Sequence, residues 1–199
     1  MLDWLKNSNK ESPEFWKTYL SKFDKKSKRF VVLSTEKSGT NPIKDVILTI
    51  GAFAVINNSL YIGDSFETVL LQYKYFHDNE LSNEFIVKSK MKKLGEPDAI
   101  KALIEFIENS VLVGHHIDIE VEMINVALGK LGCGRLKNEA LDIDIMHRKL
   151  HDITISKKFS LEELCNIYKI PKSELNSSTE DAYKIALLFL KLKSKLGLN

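Results

Sequence analysis

Apolar and polar positions divide the chain into an early part rich in strands and a later part in which helices alternate with strands. Residues 30–33 form an apolar run, and two β-rich runs follow it on either side of Asn57, Asn58 and Ser59. Asparagines between two such runs are a hairpin signal. The first three strands are therefore predicted to be consecutive and at least partly antiparallel.

Helical spacing, with apolar residues three and four positions apart, dominates the second half of the chain. The predicted elements there are helices over about 97–109, 120–131 and 178–195, a helix through His147 and Leu150, a helix that opens at Ser160, and strands over 110–115 and 139–145. Ser160 with Glu163 has the form of a capping box. Residues 72–93 are charged and weakly periodic, which predicts short helices and loops.

The predicted sheet is mixed, has five strands and is flanked by helices. Strands that come first, followed by helix and strand alternation, favour a three-layer α/β domain. A chain of 199 residues that is 44% hydrophobic is long enough for one substantial core. Ser12 and Pro13 mark a helix start, so residues 1–27 are predicted to be an N-terminal helical extension of a domain formed by 28–199.

Charge and cysteine content limit the cellular locations and partners that are expected for the protein. The formal net charge is +2, and lysines concentrate in 22–30, 88–94 and 191–197. Lysine runs of this kind usually form solvated surface, but they can also contact the phosphates of a nucleic acid. The two cysteines do not have the spacing of metal ligands. The start of the chain has no apolar stretch as long as that of a signal peptide, and no apolar segment is long enough to span a membrane. We therefore expect a cytoplasmic protein with no membrane partner.

Acidic residues lie near the ends of three predicted elements. Glu36 closes the first strand, Glu120 follows the strand at 110–115, and Asp181 opens the last helix. Alone, each is explained by solubility or by the favourable effect of negative charge at a helix N-terminus. Ser34 lies two positions before Glu36 and therefore shares a face of the strand with it.

Three motifs make the chain resemble one enzyme family. STEKSGTNP is similar to a strand ending Asp-x-Glu-x-x-Gly, GHHIDIE to Gly-His-Asn-x-x-Phe-Asp, and NSSTEDA to His-x-Ala-x-x-Asp-Ala. LDIDIMHRKL looks like a further stretch of that family, Asp-Thr before a helix. Over residues 29–196 the chain thus resembles the DEDDh-type 3'-5' exonuclease domain of the DNA polymerase III epsilon-subunit kind. The resemblance implies a ribonuclease H-like fold.

The resemblance also implies a site. In this family four carboxylates hold two divalent ions, Mg²⁺ or Mn²⁺, and a histidine is the general base for the attacking water. By position, Glu36, Glu120 and Asp181 would be the metal ligands and catalytic carboxylates. Ser34 stands where the family has the aspartate that bridges both ions, and Asn176 stands where it has the histidine.

The residues that replace the family's catalytic residues predict weak hydrolytic activity or none. A serine hydroxyl brings no charge to a two-metal site, which needs several anionic oxygens. Glu120 is one methylene longer than aspartate, and Asn176 cannot accept a proton near neutral pH. Loss of a general base alone costs about 10² to 10⁴ in rate. Among nearby residues, Asp118 is expected to point to solvent, and His115 and His116 are expected to diverge rather than form a metal pair.

Three interpretations stay open at this point. The chain is an exonuclease that acts on single-stranded DNA or RNA 3' ends, or it is a degenerate relative that binds nucleic acid or a replication or repair protein without turnover. The third interpretation is a protein-interaction module in which residues 3–23 mediate association. The altered positions favour degeneracy, and no recognition element distinguishes DNA from RNA.

Overall fold

The computed structural model describes residues 12–71, 91–154, 157–171 and 177–198. The strands are β1 (Phe30–Lys37), β2 (Ile47–Ile56), β3 (Ser59–Leu71), β4 (Lys92–Gly95), β5 (Val111–Gly114) and β6 (Ala140–Asp142). The helices are α1 (Glu14–Ser21), α2 (Glu96–Ile107), α3 (Ile117–Lys130), α4 (Ile143–Leu150), α5 (Leu161–Ile167) and α6 (Ser178–Lys195). A short 3-10 helix, Lys22–Asp24, follows α1.

The described strands form one mixed sheet in the order β4-β3-β2-β1-β5-β6. β2 is antiparallel to β1 and to β3, whereas β1 with β5, β5 with β6 and β3 with β4 are parallel pairs. The predicted hairpin is confirmed, since Asn57 and Asn58 have positive φ angles of 50° and 62° between β2 and β3. Two successive residues of positive φ form a turn whose twist suits a two-residue hairpin.

The sheet has one strand more than the five predicted. β4 begins within the segment for which weak periodicity predicted helices and loops, and residues 72–90 of that segment lie outside the described residues. The four residues of β4, KKLG, do not alternate clearly between apolar and polar side chains. Main-chain hydrogen bonds with β3 hold this strand at the edge of the sheet, so it needs no such pattern. The Thr68 hydroxyl adds a hydrogen bond to the Lys92 carbonyl at 2.9 Å. Lysines suit an edge strand because they discourage pairing with another chain.

β1 is buried on both faces, and alternate residues pack into two separate cores. Val31 and Leu33 pack with α1, α2 and α3, whereas Val32 packs with α4, α5 and α6. The predicted three-layer α/β arrangement is therefore confirmed. Among the described residues, no helix combines the length and the apolar character that crossing a membrane requires.

Helix α1 belongs to the first of these cores. Trp16 and Tyr19 are almost fully buried, and their ring centroids lie 4.6 Å apart. The Tyr19 hydroxyl donates to Asn138 Oδ1 at 2.7 Å and accepts from the Lys137 amide at 2.8 Å. The helix is thus packed onto the rest of the chain. The division of the chain into 1–27 and 28–199 stays a prediction, and residues 1–11 lie outside the described part.

The start of α6 comes very close to the sheet at Gly51 of β2. A Cβ atom at position 51 would lie 2.4 Å from both the Cα and the N atom of Thr179. Gly51 is opposite Ser34 in the ladder between β1 and β2. The absence of a side chain at position 51 therefore lets the first turn of α6 lie beside the end of β1.

Gly51→Ala is expected to lower the free energy of unfolding by about 1–3 kcal/mol, because the added methyl group meets main-chain atoms that cannot rotate away. Gly63→Ala is the matched control, since no atom lies within 4 Å of a Cβ at this position in β3. Urea unfolding of the two variants measures the difference. Equal midpoints would contradict the close approach of α6.

Candidate active site

The predicted site residues that the structure describes lie where β1 runs past the end of its parallel partner. β1 pairs with β5 from Phe30 to Val32, and it continues without that partner to Lys37. Ligand sites in α/β sheets lie outside the carboxyl ends of parallel strands, which is where this extension lies. We call the following residues together the β1 site: Ser34, Glu36, Glu120 and Asp181.

Ser34 and Glu36 lie on the face of β1 that packs against α6. Ser34 is buried, with 8% of its surface exposed, and Glu36 is partly buried. Glu36 Oε2 accepts a hydrogen bond from Thr49 Oγ1 at 2.9 Å. The same hydroxyl oxygen lies 2.8 Å from Ser178 Oγ, in the first turn of α6. The Ser178 main chain also hydrogen-bonds Glu36, so the carboxylate is held between β2 and α6.

Glu36 and Asp181 lie close enough to interact electrostatically. Burial raises the pKa of Glu36, the hydrogen bond from Thr49 opposes this change, and the negative charge of Asp181 adds to it. Asp181 also forms an ion pair with Lys184, whose Nζ lies 3.2 Å from Asp181 Oδ1. The structure therefore brings these two predicted ligands together, with an ammonium group beside them.

Glu120 approaches β1 from the opposite face. It is 3% exposed, and its Oε1 accepts from the Thr35 amide at 3.0 Å and from the Thr35 hydroxyl at 3.3 Å. Lys37 Nζ lies 3.4 Å from the same oxygen. Glu120 Oε2 is buried and has no hydrogen-bond partner within the described part of the chain. Since Thr35 and Lys37 alternate with Ser34 and Glu36, the Glu120 carboxylate is bound on the α3 side of β1.

The residues that flank the β1 site differ in their placement. Asp118 is exposed, as predicted. His115 and His116 do not diverge as predicted, because the start of α3 brings their ring centroids to 4.0 Å from each other. His115 Nε2 lies 2.7 Å from the Phe159 carbonyl oxygen, a contact that joins two distant segments. Asn176 lies outside the described residues, so its role stays a prediction.

The donors of the β1 site do not fit a pair of divalent ions. A two-ion centre needs several anionic oxygens that converge from separate elements. Ser34 contributes a neutral hydroxyl, and Glu120 is bound on the other face by an amide and an ammonium group. Within the β1 site, Glu36 and Asp181 remain as carboxylates on the α6 face, and an ammonium group already offsets one of their charges. This donor set suits at most one cation.

Two lysines, Lys37 and Lys184, contact the β1 site without having been predicted from the sequence. Lys184 is three residues after Asp181 on a helix, a spacing that indicates an ion pair and could have been found. Lys37 pairs with a carboxylate 83 positions away. That pairing depends on how α3 packs against β1, which no local pattern shows.

The raised pKa of Glu120 predicts a stability that depends on pH. Burial raises the pKa of Glu120 from an ordinary 4.5 to about 7, although Lys37 and the hydrogen bonds from Thr35 favour the charged form. A carboxyl group with a higher pKa in the folded state stabilises the fold while it is protonated. This contribution is fully present below about pH 4.5 and is lost as the pH rises through about 7.

Glu120→Gln replaces the titrating group by a neutral amide, so its free energy of unfolding should decline less than that of the unchanged chain between about pH 4.5 and 8. The difference is expected to reach up to about 3 kcal/mol at the upper end. Urea unfolding across this range measures it. Glu122→Gln is the control, because Arg135 lowers the pKa of Glu122 and so moves its titration below this range. Parallel curves for the two variants would contradict a protonated Glu120.

Several DNA polymerase III proteins are similar to this chain in sequence, although no family model matches it. The DNA polymerase III subunit epsilon of Buchnera aphidicola subsp. Baizongia pistaciae is 30% identical over 182 residues, which cover 83% of this chain and 71% of that protein. The same subunit of Buchnera aphidicola subsp. Acyrthosiphon pisum is 28% identical over 175 residues, 82% of this chain and 72% of that protein. The PolC-type DNA polymerase III of Caldanaerobacter subterraneus subsp. tengcongensis is 28% identical over 84% of this chain and 12% of its own length.

Solved structures share the fold. Exonuclease I of E. coli, in a zinc-bound complex with single-stranded DNA, has a TM-score of 0.67 at 14% identity, over 87% of this chain and 42% of that one. A complex of E. coli exonuclease I with a dT13 oligonucleotide has a TM-score of 0.65 at 15% identity, over 86% of this chain and 42% of that one. This chain therefore spans about two fifths of the length of exonuclease I. From the sequence identity to epsilon subunits and the shared ribonuclease H-like fold, we conclude that the chain belongs to the DNA polymerase III epsilon-subunit family of 3'-5' exonucleases.

Proposed function

We propose that this chain binds the 3' end of a single-stranded nucleic acid at the β1 site and hydrolyses the phosphodiester bond weakly or not at all. The observation that carries the proposal is the contact between Lys37 and Glu120, which binds one carboxylate on the face away from Glu36 and Asp181. Ser34, a neutral residue at the position of the family's bridging aspartate, removes a second negative charge.

Binding of a nucleic acid is supported by the family and by the charges around the site. Exonuclease I, which shares the fold, has been solved with single-stranded DNA and with a dT13 oligonucleotide. Lys37 and Lys184 bring ammonium groups to the two faces of the end of β1, where each is paired with a carboxylate. Ammonium groups are common partners of phosphate oxygens, so we expect these two lysines to assist binding. The lysines of 22–30 lie at the other end of this eight-residue strand, roughly 25 Å away, so they suit phosphates farther from the 3' end.

Weak hydrolysis is expected because the β1 site is short of negative charge. A cation on the α6 face would be held by Glu36 and Asp181. Mg²⁺ demands near-ideal octahedral oxygen coordination and loses its water reluctantly, so two carboxylates are expected to hold Mg²⁺ or Mn²⁺ weakly. Asn176, at the position of the family's histidine, can hydrogen-bond a water molecule but cannot accept its proton near neutral pH.

Ser34→Asp combined with Lys37→Thr is expected to bind Mn²⁺ at least about tenfold more tightly than Ser34→Asp alone. The first change restores a carboxylate, and the second removes the ammonium group that is bound to Glu120. Isothermal titration with Mn²⁺ measures the affinities. Ser34→Asp combined with Lys44→Thr is the matched control, because Lys44 is an exposed lysine between β1 and β2. A double variant that binds no better than this control would contradict the role of the contact between Lys37 and Glu120.

The same variants test the chemistry by digestion of single-stranded DNA with Mn²⁺. The unchanged chain is expected to be at least about 10²-fold slower than the variant that carries both Ser34→Asp and Lys37→Thr. Asp181→Ala in the unchanged chain is the control for contaminating nuclease. Fast digestion by the unchanged chain that Asp181→Ala abolishes would show a competent site and overturn the proposal of weak hydrolysis.

Binding without turnover is measured separately, by fluorescence anisotropy with labelled DNA or RNA oligonucleotides in the presence of a chelator. A linear single strand is expected to bind more tightly than a circular one of the same sequence, with an affinity that falls as salt rises. Lys184→Met should weaken binding, because it removes a cation beside Asp181. Equal binding of linear and circular strands, or no binding at low salt, would contradict recognition of a 3' end.

The other interpretations draw different support from the structure. Of the segment 3–23, residues 3–11 lie outside the described part of the chain, and in the rest the apolar side chains Trp16 and Tyr19 of α1 are buried in the core and so are not available for association. The relatives in Buchnera are named as subunits of DNA polymerase III, so a replication or repair protein is the partner that we propose to test. Cys133 and Cys165 are free thiols, in keeping with the proposed cytoplasmic setting.

A further inference from the structure

A second group of metal-binding side chains lies at the ends of β5 and β6. His116, Asp142 and Asp144 each offer one donor atom, and these three atoms lie within 4.8 Å of one another. We call these three residues the His116 cluster. β5 separates β6 from β1, so the end of β6 lies about 10 Å from β1 across the sheet. The His116 cluster is therefore separate from the β1 site.

Asp142 is held from two directions. It is the last residue of β6, and its Oδ1 accepts from the amides of Asp144 at 2.8 Å and Ile145 at 3.3 Å, at the start of α4. Its Oδ2 accepts from the amide of Ile117, at the start of α3, at 3.2 Å. A carboxylate oxygen has two lone-pair positions, so this arrangement orients the group and leaves Oδ2 a further acceptor position.

Asp144 is buried more deeply, with 1% of its surface exposed. Its Oδ1 accepts a hydrogen bond from the Phe159 amide at 3.2 Å. Its Oδ2 forms an ion pair with Arg148, whose Nε lies 3.3 Å away but does not donate a hydrogen bond within the described part of the chain. Carboxylates that bind metal ions are characteristically hydrogen-bonded by such surrounding groups, which fix their orientation. Both aspartates are thus fixed before any ion arrives.

His116 supplies the nitrogen donor from the turn between β5 and α3. Its backbone is left-handed, with φ 56°, a conformation that is uncommon for residues other than glycine but is enriched in asparagine, aspartate and histidine. Its ring packs against the ring of His115, which is itself held by the Phe159 carbonyl. The imidazole is therefore supported on one side and lies beside the two carboxylates on the other.

The charges around the cluster favour an added cation. The His116 cluster lines a cavity of about 390 Å³, together with Asp118, Arg148 and Lys158 among others. The carboxylates of this cavity outnumber its two basic side chains by one, and two of those carboxylates are buried. The surplus charge is that of Asp118, which is exposed, whereas Asp144 is already paired with Arg148. The cavity also has room for water molecules that would complete the coordination of an ion.

We propose that the His116 cluster binds one divalent transition-metal ion of the Zn²⁺ type. One imidazole nitrogen and two carboxylate oxygens are a donor set that Zn²⁺ accepts, with water in the fourth position. Mg²⁺ and Ca²⁺ are disfavoured because they prefer sites made of oxygen alone. The ion would connect the start of α3 with the junction of β6 and α4. His116 precedes Glu120 by about one helical turn, so this connection would also steady the helix that carries Glu120.

Isothermal titration of the unchanged chain with Zn²⁺ is expected to show one site, and His116→Asn is expected to weaken it by at least about tenfold. Asparagine tolerates a left-handed backbone, so this variant keeps the start of α3. His151→Asn is the matched control, because His151 lies outside the cluster and contacts the Tyr168 hydroxyl. Co²⁺ used in place of Zn²⁺ gives a second readout, since its visible absorption when bound to the protein should disappear in His116→Asn alone.

Glu36→Gln combined with Asp181→Asn separates the His116 cluster from the β1 site. Zn²⁺ binding that survives this double change and is lost in His116→Asn supports the proposal. Binding that is lost in the double variant and kept in His116→Asn would assign the ion to the β1 site and overturn the proposal. Absence of Zn²⁺ binding to the unchanged chain, or an equal loss in His151→Asn, would also overturn it. None of these outcomes depends on whether the chain hydrolyses DNA.

Discussion

The burial of β1 on both faces is the constraint on which the rest of the structure depends. A strand between two cores must send alternate side chains to opposite layers, and this alternation continues past the point where the parallel ladder with β5 ends. Ser34 and Glu36 therefore meet α6, whereas Thr35 and Lys37 meet α3. Each helix then places its own charged groups against the face of β1 that it covers.

This division gives Lys37 its importance. A lysine on the α6 face would compete for Glu36 and Asp181, but on the α3 face Lys37 contacts Glu120 alone among the carboxylates of the β1 site. Ser34 lowers the negative charge on one face, and Lys37 adds positive charge on the other. Both residues make the β1 site less negative, which supports the proposal that it attracts divalent ions less and phosphates more. The family membership of the chain and the weak hydrolysis that we propose are thus compatible.

Local signals in the sequence predicted most of the fold. Apolar spacing gave α6 its full extent, and the capping box at Ser160 is present with both of its hydrogen bonds. β4 was missed because a short strand held by main-chain pairing has no side-chain pattern of its own. The family motifs identified Glu36 and Asp181, which the structure brings together. The contact of Lys37 with Glu120 and the convergence of the His116 cluster arise from packing between distant segments, which periodicity does not encode.

The hydrogen bond from the Thr35 amide to Glu120 has a consequence for any ion that would need this carboxylate. A Glu120 side chain that turned toward the α6 face would leave a buried main-chain donor unpaired, at a cost of about 1–3 kcal/mol. Molecules with Glu120 in that second position would form a minor population, and the apparent affinity for the ion would fall in proportion to it, by about 5- to 150-fold. If an ion required this carboxylate, its affinity at this end of β1 would depend on the equilibrium between the two positions of Glu120 as well as on the number of carboxylates.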